Sequence, residues 1–334
     1  MAPGSDDDPR IGDISEGMVL RAILARTVPA SHALLGPGDD AAVVAAPSGS
    51  VVATADTLIE GPDFRLAWSS GYELGWKSAA VNLSDVAAMG AVPTALLVSL
   101  AVPADTRLSF VEAMADGFRE CCSQLAPGCS VVGGDLTVSE LLVVAVTALG
   151  DLGGRAAVTR AGARPGDVVA LAGELGVAAA GLGLLFSRFR EGASPVPVER
   201  SILDAVQRGA LDRQLRPVPP VALGPAAADA GATAMMDVSD GLALDASRMA
   251  DASNVTIEFS GAALDALAFG GARERALGGG EDHGLLATFP PGRMPEGFVQ
   301  IGTVSARAGA PVLVDGEPVA ETGWDPYRDW DHAR

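Results

Sequence analysis

The sequence predicts two domains, an alternating α/β unit followed by an α+β unit, and three observations carry that expectation. The chain has 334 residues, 49% of them hydrophobic, which is long for a single core and apolar enough to fill two. Apolar runs at strand and helix spacing alternate through the first half, whereas the tail mixes short strand-like runs with Gly-rich connections. Between them, GDLGGRAAVTRAGARPGD is dense in Gly, Arg and turn formers, which puts a boundary near Asp151. The expected division is a disordered lead over 1–12, a first domain over 13–150 and a second over 151–334.

In order, ISEGMVLRAILART has the apolar spacing of a first amphipathic helix. DAAVVAA and SVVATAD read as short strands joined by PSGS, and a hairpin or a pair of neighbouring strands fits them. GYELGWKSAAVNLSDVAAM keeps apolar residues three and four apart until Gly90 ends it as a C-cap would. TALLVSLAVP, CSVVGGD and ELLVVAVTALG read as strands and LSFVEAMADGFRECCSQL as a helix. Beyond the boundary, VVALAG is strand-like, GVAAAGLGLLFSRF and PPVALGPAAADAG are helical, and TAMMDVSDGLALDASRMADAS runs from strand into helix. NVTIEF, HGLLATF, FVQIGTV and PVLVDG supply the strands of the tail. Aromatics are only 4% of the chain, so the cores are expected to be small-residue packing of helices on sheets.

A formal charge of −19 excludes wide electrostatic contact with nucleic acid or anionic membrane. Cys121, Cys122 and Cys129 lack CxxC spacing and have too little histidine nearby for a zinc site, so idle thiols in a reducing cytosol are expected. The acidic start MAPGSDDDPR does not resemble a secretory signal, and no apolar run approaches bilayer length. A cytoplasmic protein is the expectation.

Aspartates recur in one context. Asp40, Asp56, Asp85, Asp135, Asp237 and Asp240 each sit where an apolar element meets a glycine-bearing or small-residue turn, and such junctions line the ligand end of α/β sheets. Two carboxylates about 5 Å apart repel by roughly 3 kcal/mol at an effective dielectric of 20, so converging aspartates need a cation between them. Hard oxygen donors without Cys or His suit Mg2+, which takes one or two carboxylates and completes its shell with water and substrate phosphate. Several ions around a nucleotide, and hence ATP, follow from a cluster of this size. Any single aspartate serves equally well as a helix cap or turn brace; Ser239 and Asp240, at a strand-to-helix exit, fit both roles.

Other signals are weaker. The glycines of GGD at 133–135 let backbone amides approach a ligand closely, yet the chain has neither a P-loop nor a dinucleotide fingerprint. Lys77 is the only lysine; helical spacing puts it on one face with Val81 and Asp85, and pairing with an acid is preferred to a catalytic role. Arg160, after the boundary loop, fits a phosphate contact and a solvated surface position equally.

Taken in order, GDDAAVV, ADTLIEGPDFR, KSAAVNLSDVAAMGAVP, VVGGDLT, TRAGARPGD, DVSDGL and GGGEDHGLL resemble bacterial thiamine-monophosphate kinase, over roughly residues 12–330. That family lies in an ATP-using superfamily with aminoimidazole ribonucleotide synthetase. The resemblance implies the corresponding two-domain fold, a homodimer whose first domains join their sheets in a shared β-barrel, and transfer of the ATP γ-phosphoryl group to thiamine monophosphate without a phosphoenzyme. It implies metal ligation by Asp40, Asp56, Asp85, Asp135, Asp237 and Asp240, and ATP contacts at Gly134, Asp135, Arg160 and Ser239. Glu281 and Trp324 fall on thiamine-contacting positions, where an acid can satisfy the pyrimidine and an indole can stack on a cationic ring. No catalytic general base is expected, because the acceptor is an already ionised phosphate oxygen. Asp39 is left to brace the loop or hold water beside Asp40.

Three positions depart from the family pattern. Ala55 stands where a hydroxyl residue usually precedes the metal-binding aspartate, Asp63 where a substrate-side histidine is common, and Gly284 where an acid is common. A substrate contact by Asp63 is retained as an expectation. The rivals are another superfamily member such as aminoimidazole ribonucleotide synthetase, and an ATP-binding regulator without turnover.

Overall fold

The structure, a computed structural model, describes residues 8–35, 43–320 and 322–323. The first unit begins with α1 (Glu16–Leu24) and a small antiparallel pair, β1 (Ala33–Leu35) and β2 (Val43–Val44). It continues through β3 (Val51–Ile59), α2 (Gly71–Ala88), β4 (Val92–Val102), α3 (Leu108–Leu125), β5 (Val131–Val138) and β6 (Val143–Asp151). The larger strands form a sheet in the order β3-β6-β4-β5, antiparallel except for the parallel pair β4–β5. The hairpin expected from DAAVVAA and SVVATAD does not form, because β2 pairs with β1 while β3 spends all nine residues on β6. The PSGS turn is therefore a link between two sheets. Residues 8–12, inside the expected disordered lead, are tied to the fold through Ile11 N to Thr106 O and Asp8 to Ser109.

One face of this sheet is covered by helices, and the other is exposed along β3 but covered at one end, where Ala95 and Val132 pack against Ala30, Ala33 and Val44. Along β3, Val52, Thr54, Asp56 and Leu58 are half-buried toward α2, while Ala53, Ala55 and Thr57 are exposed. Helix α2 is started by a Ser70–Glu73 capping box and is buried almost along its whole length. It lies very close to α3, because a Cβ at Gly75 would meet Met114 O at 2.0 Å and one at Gly117 would meet Tyr72 O at 2.1 Å. Only glycine allows that backbone approach.

The second unit holds β7 (Val168–Ala172), α4 (Val177–Arg188), the short pair β8 (Arg190–Glu191) and β9 (Ser194–Pro195), α5 (Ala205–Leu215) and α6 (Leu223–Ala230). It ends with β10 (Ala234–Val238), α7 (Leu242–Ser253), β11 (Val255–Phe259), α8 (Gly261–Leu267), α9 (Arg273–Gly278), β12 (Gly284–Phe289), β13 (Val299–Ala306), β14 (Val312–Val314) and β15 (Glu317–Pro318). Its sheet runs β10-β12-β7-β13-β11-β14-β15, mostly antiparallel, with β11–β14 parallel. The edge strand β10 and its neighbour β12 are buried at every position, which explains why their sequences are mostly apolar rather than alternating. Sequence spacing gave no sign of α5, α8 or α9; α5 nevertheless carries a readable start signal, the Asp204–Gln207 capping box.

Helix α2 joins the two units. Trp76 Nε1 donates to Pro217 O at 2.8 Å, Ser84 Oγ to His283 O at 3.3 Å, and Val158 N to Met89 O at 3.1 Å. Near its C-terminal end, Gly224 at the start of α6 abuts Ala87 O. Among the described residues no helix is long and apolar enough to cross a membrane.

Candidate active site

Between the units lies a cavity of about 810 Å³ whose walls come from β3, α2, α4, the β10–α7 turn and the 278–283 loop. Asp56 enters from β3, its backbone N–H held by Asn82 Oδ1 at 3.2 Å. Asp85, two turns along α2 from Lys77, accepts from Thr54 Oγ1 at 2.8 Å. Asp237 is buried near the end of β10, and Ser239 and Asp240 follow in the turn. Asp245 Oδ2 accepts from the N–H groups of Asp240 and Gly241 at 3.0 and 3.2 Å, which fixes that turn. Arg248 Nη1 lies 2.6 Å from Asp240 Oδ2 and 2.7 Å from Asp245 Oδ1.

The facing loop is pinned to the same turn. Glu281 N donates to Ser239 O at 2.8 Å and His283 N to Val238 O at 3.1 Å, with both residues at positive φ, 67° and 53°. Such conformations persist when the surroundings impose them. His283 Nδ1 sits 3.2 Å from Asp237 Oδ2. Glu281 Oε1 is 2.7 Å from Lys77 Nζ, and its Oε2 accepts from Gln214 Nε2. Asp282 turns away and accepts from Gly176 N and Ala178 N at the start of α4.

Charge is under strain here. Burial, with the neighbouring Asp237 and Asp56, pushes the Asp85 carboxyl up to about 7. Burial also raises Asp56, with His283 opposing and Asp237 adding. Asp245 is pushed up to about 6 by burial against the hydrogen bond from Asp240 N. Burial works to lower His283, but its bond to Asp237 outweighs that and the imidazole is raised. Burial likewise favours a neutral Glu281, yet the Lys77 ammonium outweighs it and the carboxyl is lowered. The cavity thus has two ends, one where Asp56 and Asp85 crowd against Asp237 and only His283 and Arg248 offer positive charge, and one with a neutralised Glu281.

The sequence-predicted residues divide accordingly. Asp56, Asp85, Asp237, Ser239, Asp240, Glu281 and Asp63 all line this cavity. Asp63 Oδ2 accepts from Ile59 N at 2.8 Å, and burial raises its pKa. Asp135 and Gly134 are elsewhere, on β5, beside a second cavity of about 1020 Å³. In the strand register Gly134, Val98, Val146 and Asp56 form one row, and Asp135 belongs to the next row with Ser99, Ala145 and Thr57. Asp135 therefore points to the opposite face from Asp56, at the other edge of the sheet and about 14 Å of strand spacings away. Arg160 is exposed and does not line the Asp56 cavity; its carbonyl accepts from Ser253 Oγ at 3.0 Å. Ala55 is on the open face of β3, and Gly284 packs against Ala172 O. Asp39, Asp40 and Trp324 lie outside the described residues.

Four side chains at the site had no role in the sequence reading: His283, Gln214, Asp245 and Arg248. The capping box of α5 could have indicated Gln214, and the i, i+3 spacing of Asp245 and Arg248 on α7 could have indicated that pair. Nothing local marks His283. Among the described residues, no three His, Cys, Asp or Glu side chains are disposed to hold a metal ion.

The family models for AIR synthase related proteins match this chain, the N-terminal domain over residues 38–152 and the C-terminal domain over 164–301. A thiamine-monophosphate kinase of Mycobacterium tuberculosis is 41% identical over 97% of this chain and 93% of its own length. The chain belongs to the thiamine-monophosphate kinase family. A Bacillus subtilis member is 36% identical over 81% of this chain and 82% of its own. The solved thiamine monophosphate kinase of Aquifex aeolicus is 34% identical with a TM-score of 0.71, covering 82% of this chain and 90% of that one. AaThiL complexed with AMPPCP and TMP is 31% identical, with a TM-score of 0.72 over 95% of this chain and 98% of that one. The two units are thus the two-domain α/β fold of this family, built on mixed sheets.

Proposed function

We propose that this protein catalyses ATP-dependent phosphorylation of thiamine monophosphate to thiamine diphosphate, with the cavity between the two units as the phosphoryl-transfer cleft. One observation carries the assignment of the cleft: Asp56, Asp85, Asp237 and Asp240, from three separate segments, face one cavity whose other end is Glu281, Lys77 and Asp63. Family membership supplies the substrates, since the relatives are thiamine-monophosphate kinases and AaThiL was solved with AMPPCP and TMP.

The donor set fits Mg2+. All four side chains are hard oxygen ligands, and burial and mutual repulsion hold Asp85 and Asp56 at raised pKa, the state a divalent cation relieves. Asp56, Asp85, Asp237 and Asp240 would each serve as one of the one or two carboxylates that an ion takes, with water and substrate phosphate completing its shell, and bound Mg2+ would neutralise the polyphosphate and the charge developing on the transferred group. The protein's own task is alignment. Ser239 and the Asp240 turn face the nucleotide phosphates, the acceptor phosphate needs no base, and Glu281 with Asp63 faces the cationic, amine-bearing end of the acceptor.

A homodimer completes this site. β3 and β5 end the first sheet with no further strand paired to them among the described residues, and the face bearing Ala55, Thr57 and Asp135 is exposed. A second copy pairing these edges would close a shared barrel, remove both free edges and bring Asp135 of the partner subunit with its GGD backbone toward the nucleotide. Arg160 is assigned to the nucleotide's outer side and Asp40 and Trp324 to the roles their family positions imply.

ADP release measured with purified protein, ATP and Mg2+ tests the assignment. Turnover should require thiamine monophosphate, yield thiamine diphosphate and stop in excess EDTA. ATP binding without acceptor-dependent turnover would refute it.

A further inference from the structure

We propose that Lys77 is a positioning residue for the acceptor end of the cleft, holding the Glu281 carboxylate in place and ionised rather than touching the reacting phosphates; the inference rests on the cleft being the thiamine monophosphate site. Lys77 is the only lysine in a chain with 23 basic residues, and it is 4% exposed. A buried ammonium is costly to desolvate, so its partner must be close and fixed. That partner is Glu281, whose Oε1 is 2.7 Å away.

Glu281 cannot hold its own position. Its backbone is at φ 67°, in the left-handed region, within the loop that hangs on Ser239 O and Val238 O. Lys77 from α2 and Gln214 from α5 grip the two carboxylate oxygens separately, so the side chain is set by two helices outside its own loop. A third of the Glu281 side chain, 34%, remains open, and it lines the cavity. Asp63 lines the same end and His283 lies beyond Glu281, so without Lys77 two carboxylates would face each other there without their nearest cation.

Geometry also separates Lys77 from the reacting end. On α2 it stands eight residues before Asp85, about 12 Å along the helix axis. Its charge therefore acts on the loop that faces the acceptor, through the 2.7 Å contact with Glu281, rather than on the metal-end aspartates.

Steady-state kinetics on the full chain, with both substrates varied, test this. Wild-type protein without acceptor-dependent ADP release would overturn the functional assignment itself, before Lys77 is in question. Given wild-type turnover, Lys77→Met should raise the KM for thiamine monophosphate about ten-fold or more while kcat and the KM for ATP change by less than about three-fold. Glu281→Gln should produce the same split, and adding Lys77→Met to Glu281→Gln should cost less than about two-fold further, because the lysine would have nothing left to hold. A fall in kcat at unchanged acceptor KM, or independent multiplicative losses in the double variant, overturns the proposal. If Lys77→Met does not fold, Glu281→Gln and Lys77→Arg decide: the first must still show the KM split, and the second, keeping the charge, must not lower kcat selectively.

Discussion

Replacing Asp85 by Asn should make the metal-free protein more stable and at the same time disable it. The carboxyl is buried among Asp56 and Asp237 and ionises near pH 7 instead of 3.8. For an acid raised in the folded state, its favourable contribution is complete below the unfolded value and is lost as pH rises through the folded one. The window is therefore pH 4 to 7, and the wild-type protein in EDTA should lose stability across it. A displacement of that size corresponds to about 4 kcal/mol, and water at the cleft screens part of it, so we expect Asp85→Asn to gain ~1–3 kcal/mol at pH 8. The amide can still accept from Thr54 Oγ1, so the local hydrogen bond is retained. By calorimetry in EDTA, the midpoint should rise by roughly 3–8 °C at pH 8. Below about pH 4, where the carboxyl is protonated in the folded and the unfolded chain alike, the two proteins should nearly coincide, and near pH 5.5 about half of the difference should be present. Added Mg2+ should stabilise the wild type more than the variant, and turnover of the variant should fall by about a hundred-fold or more. A variant that melts below wild type at pH 8 in EDTA would refute the claim that the aspartates form a repelling cluster awaiting a cation.

Two further predictions concern the assembly of the site. Asp135→Asn and Asp237→Asn should each be inactive, but mixing them under conditions of subunit exchange should restore activity toward about a quarter of wild type, because one site in each mixed dimer would have every ligand. No recovery, with exchange verified by mass spectrometry, would place Asp135 outside the partner's site. Gly224→Ala should cost ~1–3 kcal/mol by overpacking, since a Cβ there would sit 2.1 Å from Ala87 O; an unchanged denaturant midpoint would contradict the close contact of α6 with α2.

Much of the site was legible because its chemistry is local in the chain. Each aspartate sits at the end of an apolar run, and apolar runs of the right period become strands or helices whose ends face one way. That reasoning located α2, α3, β4–β6, β10 and α7 closely, and it named Asp56, Asp85, Asp237 and Asp240 before any tertiary contact was known, whereas Glu281 came from the resemblance carried by the ordered motifs. Pairing was less legible. The 43–44 segment had to choose between β1 and β3, and a two-residue strand carries too little pattern to decide register.

The sequence by itself determined most of the element types, though not α5, α8 and α9, together with the acidity of the site and the family to which the chain belongs, because periodicity, turn chemistry and ordered motifs are written along the backbone. Only the tertiary structure decided that Lys77 pairs with Glu281 rather than with Asp85, its neighbour on the same helix face, and that Asp135 lies across the sheet from Asp56. Strand order and the docking of α2 against the second unit set those distances, and they arise from contacts between residues as much as two hundred positions apart, which no local spacing encodes.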